Sequence, residues 1–258
     1  MITTEQIKEL RDQTGVSVMQ CKKALEEADG NMEKALIILK KKGADMASKR
    51  ADREAHDGIV IVKSSGNKAA LVVLNCETDF VARNDEFIAL ANNIADIALA
   101  KGKEGAEKEA VGMTNDLVLK IGENIKIGEI KIVEGSNLGV YVHSGKSGVI
   151  TSLSGGDANL SRDIAMHIAA MKPEYLKRED VPENALAMAT ELFTKEVAGS
   201  DKPEEIKQKM LQGKIDTYFK EQTLLDQSFI KNPDITIAQL LKENGGATIE
   251  TFVRYSLS

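Results

Sequence analysis

The sequence predicts an α+β protein: an N-terminal three-helix bundle, a core of two related α+β subdomains with antiparallel sheets, and a protruding antiparallel helical hairpin. Three observations predict it. Residues 1–43 carry only helical periodicity, the apolar period then changes to that of strands, and one pattern of hairpin followed by helix occurs twice.

The opening helices bring their own start and stop signals. In "ITTEQI" Thr3 stands as N-cap with Gln6 three residues on, and Ile2 and Ile7 flank them as a hydrophobic staple. "VSVMQC" repeats the device with Ser17 and Gln20 between Val16 and Cys21. Gly15 and Gly30 punctuate the joints, Asn31 caps a third helix, and Gly43 is expected to end it. Each helix has one apolar face: Ile7 and Leu10; Cys21, Ala24, Leu25 and Ala28; Met32, Ala35, Leu36 and Leu39. Three helices of this length bury too little to house a catalytic pocket, so residues 1–43 read as a docking module. Residues 44–57, "ADMASKRADREAHD", are charged without a sustained apolar face and read as a tether, helical or not.

From Gly58 the run "GIVIVKSSGNKAALVVLN" is two β-rich segments around Ser64-Ser65-Gly66-Asn67, a hairpin whose second strand is apolar enough to be central. "FIALANNIADIALA" is an amphipathic helix, a polar helical segment follows, and "LVLKIGENIKIGEIKIVEG" returns to strand character. "GVYVHSGKSGVITSL" and then "RDIAMHIAA" echo the first hairpin and helix. Residues 58–138 are therefore assigned to a first core subdomain, and 139–181 with 227–258 to a second. Residues 182–226 form two helical runs broken at Gly199-Ser200-Asp201-Lys202-Pro203, a helical hairpin inserted in the second subdomain. The last stretch, "TIAQLLKENGGATIETFVRYSLS", reads as a helix, a Gly-Gly stop and a strand that completes the sheet.

Composition excludes several function classes. A formal net charge of −6 argues against a broad, salt-sensitive grip on nucleic acid. No stretch approaches the roughly 20 apolar residues of a membrane helix, and "MITTEQIKEL" has the character of neither a secretion signal nor a transit peptide. Cys21 and Cys76 lie in unlike contexts and read as reduced, small hydrophobic residues of a cytoplasmic protein. His56, His143 and His167 lack metal-ligand spacing, there is no nucleophile elbow, and no cofactor is expected. Gly145-Lys146-Ser147 imitates the tail of a phosphate-binding loop. Val140 stands where the motif needs glycine, Gly139 misses by one, and a β-rich run follows, so a hairpin turn is the better reading. No catalytic residue emerges. Two rival classes are a small-molecule enzyme built around that turn and a scaffold with a ubiquitin-associated-like helical module.

One stretch stands out, "LVVLNCETDFVARNDEF", in which Asp79 and Phe80 sit where the chain leaves a strand. Only 4% of the chain is aromatic, and Asn75, Glu77, Thr78 and Asp79 before Phe80 and Arg83, Asn84 and Asp85 after it favour exposure. Burying a phenylalanine is worth about 1.5–3 kcal/mol, so an exposed one keeps that energy for a partner. The anatomy is that of a protein whose substrate is another protein.

"LRDQTGVSVMQCKKAL" resembles the N-terminal signature of the bacterial elongation factor Ts family, and "NCETDFVARN" its second signature. "HIAAMKPEYL" and "DKPEEIKQKMLQGKIDTYFKEQTLLDQSFIK" resemble its later blocks, so the resemblance runs in order from about Thr4 to Tyr255. It implies a guanine-nucleotide exchange factor, not an enzyme, whose partner is the GTPase elongation factor Tu, with no direct contact to nucleic acid or membrane. A homodimer or a heterotetramer with elongation factor Tu is compatible with it. The resemblance further implies that Thr78, Asp79, Phe80 and Val81 reach into the GTPase near its magnesium site, Phe80 entering an apolar gap between two helices. Arg11, Val18 and Met19 are the implied docking positions of the N-terminal module, and His167 an implied contact of the second half. Val18 departs from the methionine often found there, and Ser147 from an apolar residue. The resemblance further implies a short C-terminal helical module, common in the family, whose contact is expected to be missing or replaced after "RYSLS".

Overall fold

A computed structural model describes residues 2–257; Met1 and Ser258, the outer ends of the first and last expected segments, lie outside the described residues. α1 (Thr4–Thr14) begins at a capping box in which Thr3 N–H donates to Gln6 Oε1 at 3.0 Å and Gln6 N–H to Thr3 Oγ1 at 3.2 Å. It stops at Gly15, whose φ of 68° suits glycine, and α2 (Val18–Glu27) starts on the Ser17 cap. α3 (Met32–Arg50) starts on Asn31, which accepts from Lys34 N–H at 2.9 Å. Leu10, Val16, Cys21, Ala24, Leu25, Ala35 and Leu39 form the bundle core, closed by Leu119 from a later helix.

Gly43 does not end α3. A Cβ there would lie 2.8 Å from the Asn115 carbonyl oxygen, so this glycine marks a helix crossing and not a stop. Residues 44–50, expected in a tether, are the end of α3, with Met46 and Ala47 packed on the first subdomain.

β1 (Asp57–Ser65) and β2 (Lys68–Cys76) form the expected hairpin. One turn of helix, α4 (Asp79–Ala82), and a long one, α5 (Asp85–Ile121), follow before β3 (Lys126–Glu134). The sheet order is β1-β2-β3, antiparallel throughout, so β2 is central, and its apolar run is buried on both faces. α5 breaks at Gly102, and Phe87, Leu90, Ile94 and Val118 along it pack with Val72, Leu74 and Ile130 of the sheet. Leu117–Ile121, read from sequence as strand, is the last turn of α5; a short apolar run fits a buried helix as well as a strand.

β4 (Asn137–His143), β5 (Ser147–Ser154) and α6 (Ala158–Met171) repeat the pattern. α7 (Glu183–Ala198) and α8 (Glu204–Gln222) make the helical hairpin, and no residue of α8 is buried. At its base, Arg178 Nε and Nη2 donate to Asp226 Oδ1 at 3.0 and 2.8 Å while the guanidinium lies 4.8 Å from the Phe219 ring centre. A small pair of strands, β6 (Ser228–Phe229) and β7 (Asn232–Thr236), was not expected from the polar "SFIKNPDIT". α9 (Ile237–Glu243) leads to β8 (Thr248–Ser256), which joins β5 to give the order β4-β5-β8. Both halves thus add a third antiparallel strand beside the second strand of a hairpin. The faces of the two sheets meet through Val60, Leu71, Val73 and Val133 with Ile150, Val140, Val253 and Tyr255.

Candidate partner-docking site

The chain leaves β2 at Cys76 and turns into α4. Thr78 is the N-cap, accepting from Val81 N–H at 3.4 Å. The four residues Thr78 to Val81 do not point the same way. Val81 and Ala82 turn inward and join the core of the first subdomain beside Phe87. Asp79 and Phe80 turn outward, and Phe80 is 84% exposed. Val81, implied as a contact residue, is therefore an anchor: its side chain holds α4 down. Asp79 is braced by Arg83 one turn on, at 2.9 Å, an exposed pair that orients the carboxylate more than it stabilises the fold. Burial first, and then the charge of Glu123, push the Cys76 thiol up to about 12, so it stays protonated and donates to Thr78 C=O at 3.2 Å. It has no nucleophile character.

Val18 and Met19 stand outside the bundle, 50% and 61% exposed, at the start of α2, while Cys21, Ala24 and Leu25 fill its inner face. Arg11, also exposed, lies across the Gly15 joint in the last turn of α1. The joint is tied to α5: Lys120 Nζ bonds Glu86 Oε2 at 2.9 Å, and its side chain fills the space that a Cβ on Gly15 would enter. Glu86 belongs to the first turn of α5, just beyond the turn that carries Phe80.

His167 is not a surface contact. It is completely buried, its Nδ1 accepts from Ile230 N–H at 3.2 Å, and Nε2 meets Gln227 Oε1 at 2.9 Å. That pattern leaves the proton on Nε2 of a neutral ring, and its role is to tie α6 to the β6–β7 segment. Burial, opposed by the Gln227 bond, pushes the imidazole below its ordinary value of 6.5. The unfolded chain then binds the extra proton first, so this stabilisation is complete above about pH 6.5 and is lost as pH falls below it. His167→Gln is accordingly expected to flatten the fall of melting temperature between about pH 6.5 and pH 5, measured by thermal circular dichroism beside wild type. Parallel curves for the two proteins would show that the ring protonates in place.

The Gly145-Lys146-Ser147 turn is occupied by the protein itself. Lys146 Nζ pairs with Asp57 Oδ1 at 2.9 Å and bonds Gly58 C=O at 3.3 Å, Gly145 C=O accepts from Val60 N–H, and Ser147 is buried. Among the described residues no cluster of His, Cys, Asp and Glu could hold a metal ion, and no helix is long and apolar enough to cross a membrane.

Glu123, which sequence reasoning passed over, is the other residue of this site. Its carboxylate reaches Glu77 N–H, Thr78 N–H and the Thr78 hydroxyl, 45 or 46 residues away in sequence, so no local signal could reveal it.

The model of the family described as elongation factor TS matches residues 77–258. The elongation factor Ts of Psychromonas ingrahamii is 47% identical over 262 residues, covering 98% of this chain and 89% of that protein. Those of Tolumonas auensis and Aeromonas salmonicida are 42% and 40% identical, each over 99% of this chain and 91% and 90% of the relative. The turn that presents Phe80 lies within the matched region, and the similarity to the relatives extends through the three-helix module as well: the chain belongs to the elongation factor Ts family.

Proposed function

We propose that the chain is a guanine-nucleotide exchange factor for the translation GTPase elongation factor Tu, acting in the cytoplasm and making no covalent change in its partner. The observation that carries the reading is Phe80, an exposed aromatic ring on a turn whose other side is anchored in the core. A ring held out in water gains about 1.5–3 kcal/mol when a partner buries it. If that burial is complete only when nucleotide has left, it shifts the partner's equilibrium toward the empty state.

Docking falls to Arg11, Val18 and Met19, and displacement to the turn of Asp79 and Phe80. Magnesium bridges the phosphates to protein oxygens, so a wedge that moves its ligands weakens the most charge-dense contact of the nucleotide. The coupling is reciprocal: GTP, on rebinding, loosens the factor in turn. A reading as a small-molecule enzyme has no support at the Lys146 turn, which is filled by Asp57 and Gly58.

Two measurements test the proposal together. Stopped-flow release of a fluorescent GDP from elongation factor Tu should accelerate steeply on adding this protein. Calorimetric titration of the isolated chain with GDP, GTP or magnesium should show no heat of binding. Tight nucleotide binding by the chain alone, or unchanged release from the GTPase, would falsify it.

A further inference from the structure

α4 is a single turn of helix, and one turn cannot hold its own shape in water. Its buried side, Val81 and Ala82, fixes where it sits but not how its first residues are oriented. That orientation decides where the Phe80 ring points. The loop between α5 and β3, separated from α4 in sequence by the whole of α5, supplies what is missing. Gly122 ends α5 with φ of 83°, turning the chain so that Glu123 faces the end of β2. One carboxylate oxygen, Oε2, accepts from both Glu77 N–H and Thr78 N–H at 3.1 Å. The other, Oε1, accepts from the Thr78 hydroxyl at 2.7 Å.

That hydroxyl is also the cap of α4, and the two roles fit together. By giving its proton to Glu123, Thr78 Oγ1 turns a lone pair toward Val81 N–H, from which it accepts at 3.4 Å. The Thr78 carbonyl is held in turn by the Cys76 thiol at 3.2 Å. The amide, hydroxyl and carbonyl of the residue immediately before Asp79 and Phe80 are thus all engaged. We propose that Glu123 is a positioning residue for nucleotide exchange: through its three hydrogen bonds to Glu77 and Thr78 it sets the first turn of α4 and so the direction in which Phe80 is presented. Only a group with two acceptor oxygens can serve both amides and the hydroxyl at once, and the negative charge makes each bond stronger than a neutral one. Glutamine in its place has one acceptor oxygen, and its NH2 would meet the Thr78 hydroxyl as a donor. In the exchange reading Phe80 meets the partner while the Glu123 carboxylate is engaged by Glu77 and Thr78, so its effect would be exerted through the turn.

This rests on the exchange-factor reading, and the test separates the two. In stopped-flow GDP release from elongation factor Tu, Glu123→Gln should lower the saturated rate about tenfold while leaving the half-saturating concentration near that of wild type. In the Phe80→Ala background the same substitution should cost almost nothing further, because the group it positions is gone. An equal loss in both backgrounds, or a saturated rate within about twofold of wild type, overturns the proposal. A second measurement needs no partner. Hydrogen exchange of the Glu77 and Thr78 amides in the free protein should quicken about tenfold in Glu123→Gln, and unchanged protection overturns it as well. Should Glu123→Gln fail to fold, Thr78→Val, which removes the hydroxyl link to Glu123, is measured in the wild-type and Phe80→Ala backgrounds instead, and an equal loss in both overturns the proposal. If wild type itself does not accelerate release, the exchange reading falls, and the amide exchange still decides whether Glu123 holds the turn.

Discussion

Phe80→Ala lowers the saturated rate of GDP release from elongation factor Tu by about one to two decades, the kinetic equivalent of losing about 1.5–3 kcal/mol of ring burial. The free protein keeps its far-ultraviolet circular dichroism and melts close to wild type, because a ring 84% exposed supports little of the fold. Docking variants fail differently. Met19→Ala and Arg11→Ala are expected to raise the concentration needed for half-maximal exchange and leave the saturated rate near normal, since the contacts proposed for them would be made before and after nucleotide leaves alike. A large drop in melting temperature for Phe80→Ala would mean that the ring folds back on the core in solution. Displacement would then have to be sought on another surface.

Phe87→Ala gives the opposite pattern. Phe87 lies seven residues further on, is fully buried, and packs with the end of β2 and with Val81. Truncating it removes a large apolar side chain and leaves a cavity, at a cost of about 3–5 kcal/mol. At about 2–4 °C per kcal/mol the melting temperature should fall by roughly 10 °C in a thermal scan. Below the transition, the saturated exchange rate should be far less affected than in Phe80→Ala. A Phe87→Ala protein that melts like wild type would contradict the burial described above. The two phenylalanines divide the work of one short segment: one holds the fold, the other faces outward.

The sequence showed the exposed ring because its neighbours on both sides are polar, and it showed the caps at Thr3, Ser17 and Asn31 because capping is local. The central position of β2 was readable from its unbroken apolar run, and the doubled hairpin-and-helix pattern from its repetition. Two failures depended on distant chain and two on local ambiguity. Gly43 looks like a helix stop until Asn115 is placed against it. His167 looks like a surface contact until Gln227, 60 residues on, is brought to its ring. Val81 belongs to the same short motif as Phe80, and only the one-turn geometry of α4 turns it to the inside. Leu117–Ile121 was misread because an apolar run of that length fits either period.

The unbroken run of α3 has a consequence for association. Its far end is gripped where Asn124 Nδ2 bonds the carbonyls of Arg53 and Ala51, at 2.7 and 3.4 Å, while Asn124 N–H bonds Glu77 Oε1 at 2.6 Å beside the Phe80 turn. A flexible linker would let the wedge roam a sphere of solvent after docking, diluting it to the millimolar level that short linkers allow. A stiff strut would confine it to one small volume, so that in the proposed mechanism the second contact would follow the first as an intramolecular step with high effective molarity. In the proposed function, the ordering entropy of that step would be met once, during folding, and not again at each encounter with the partner.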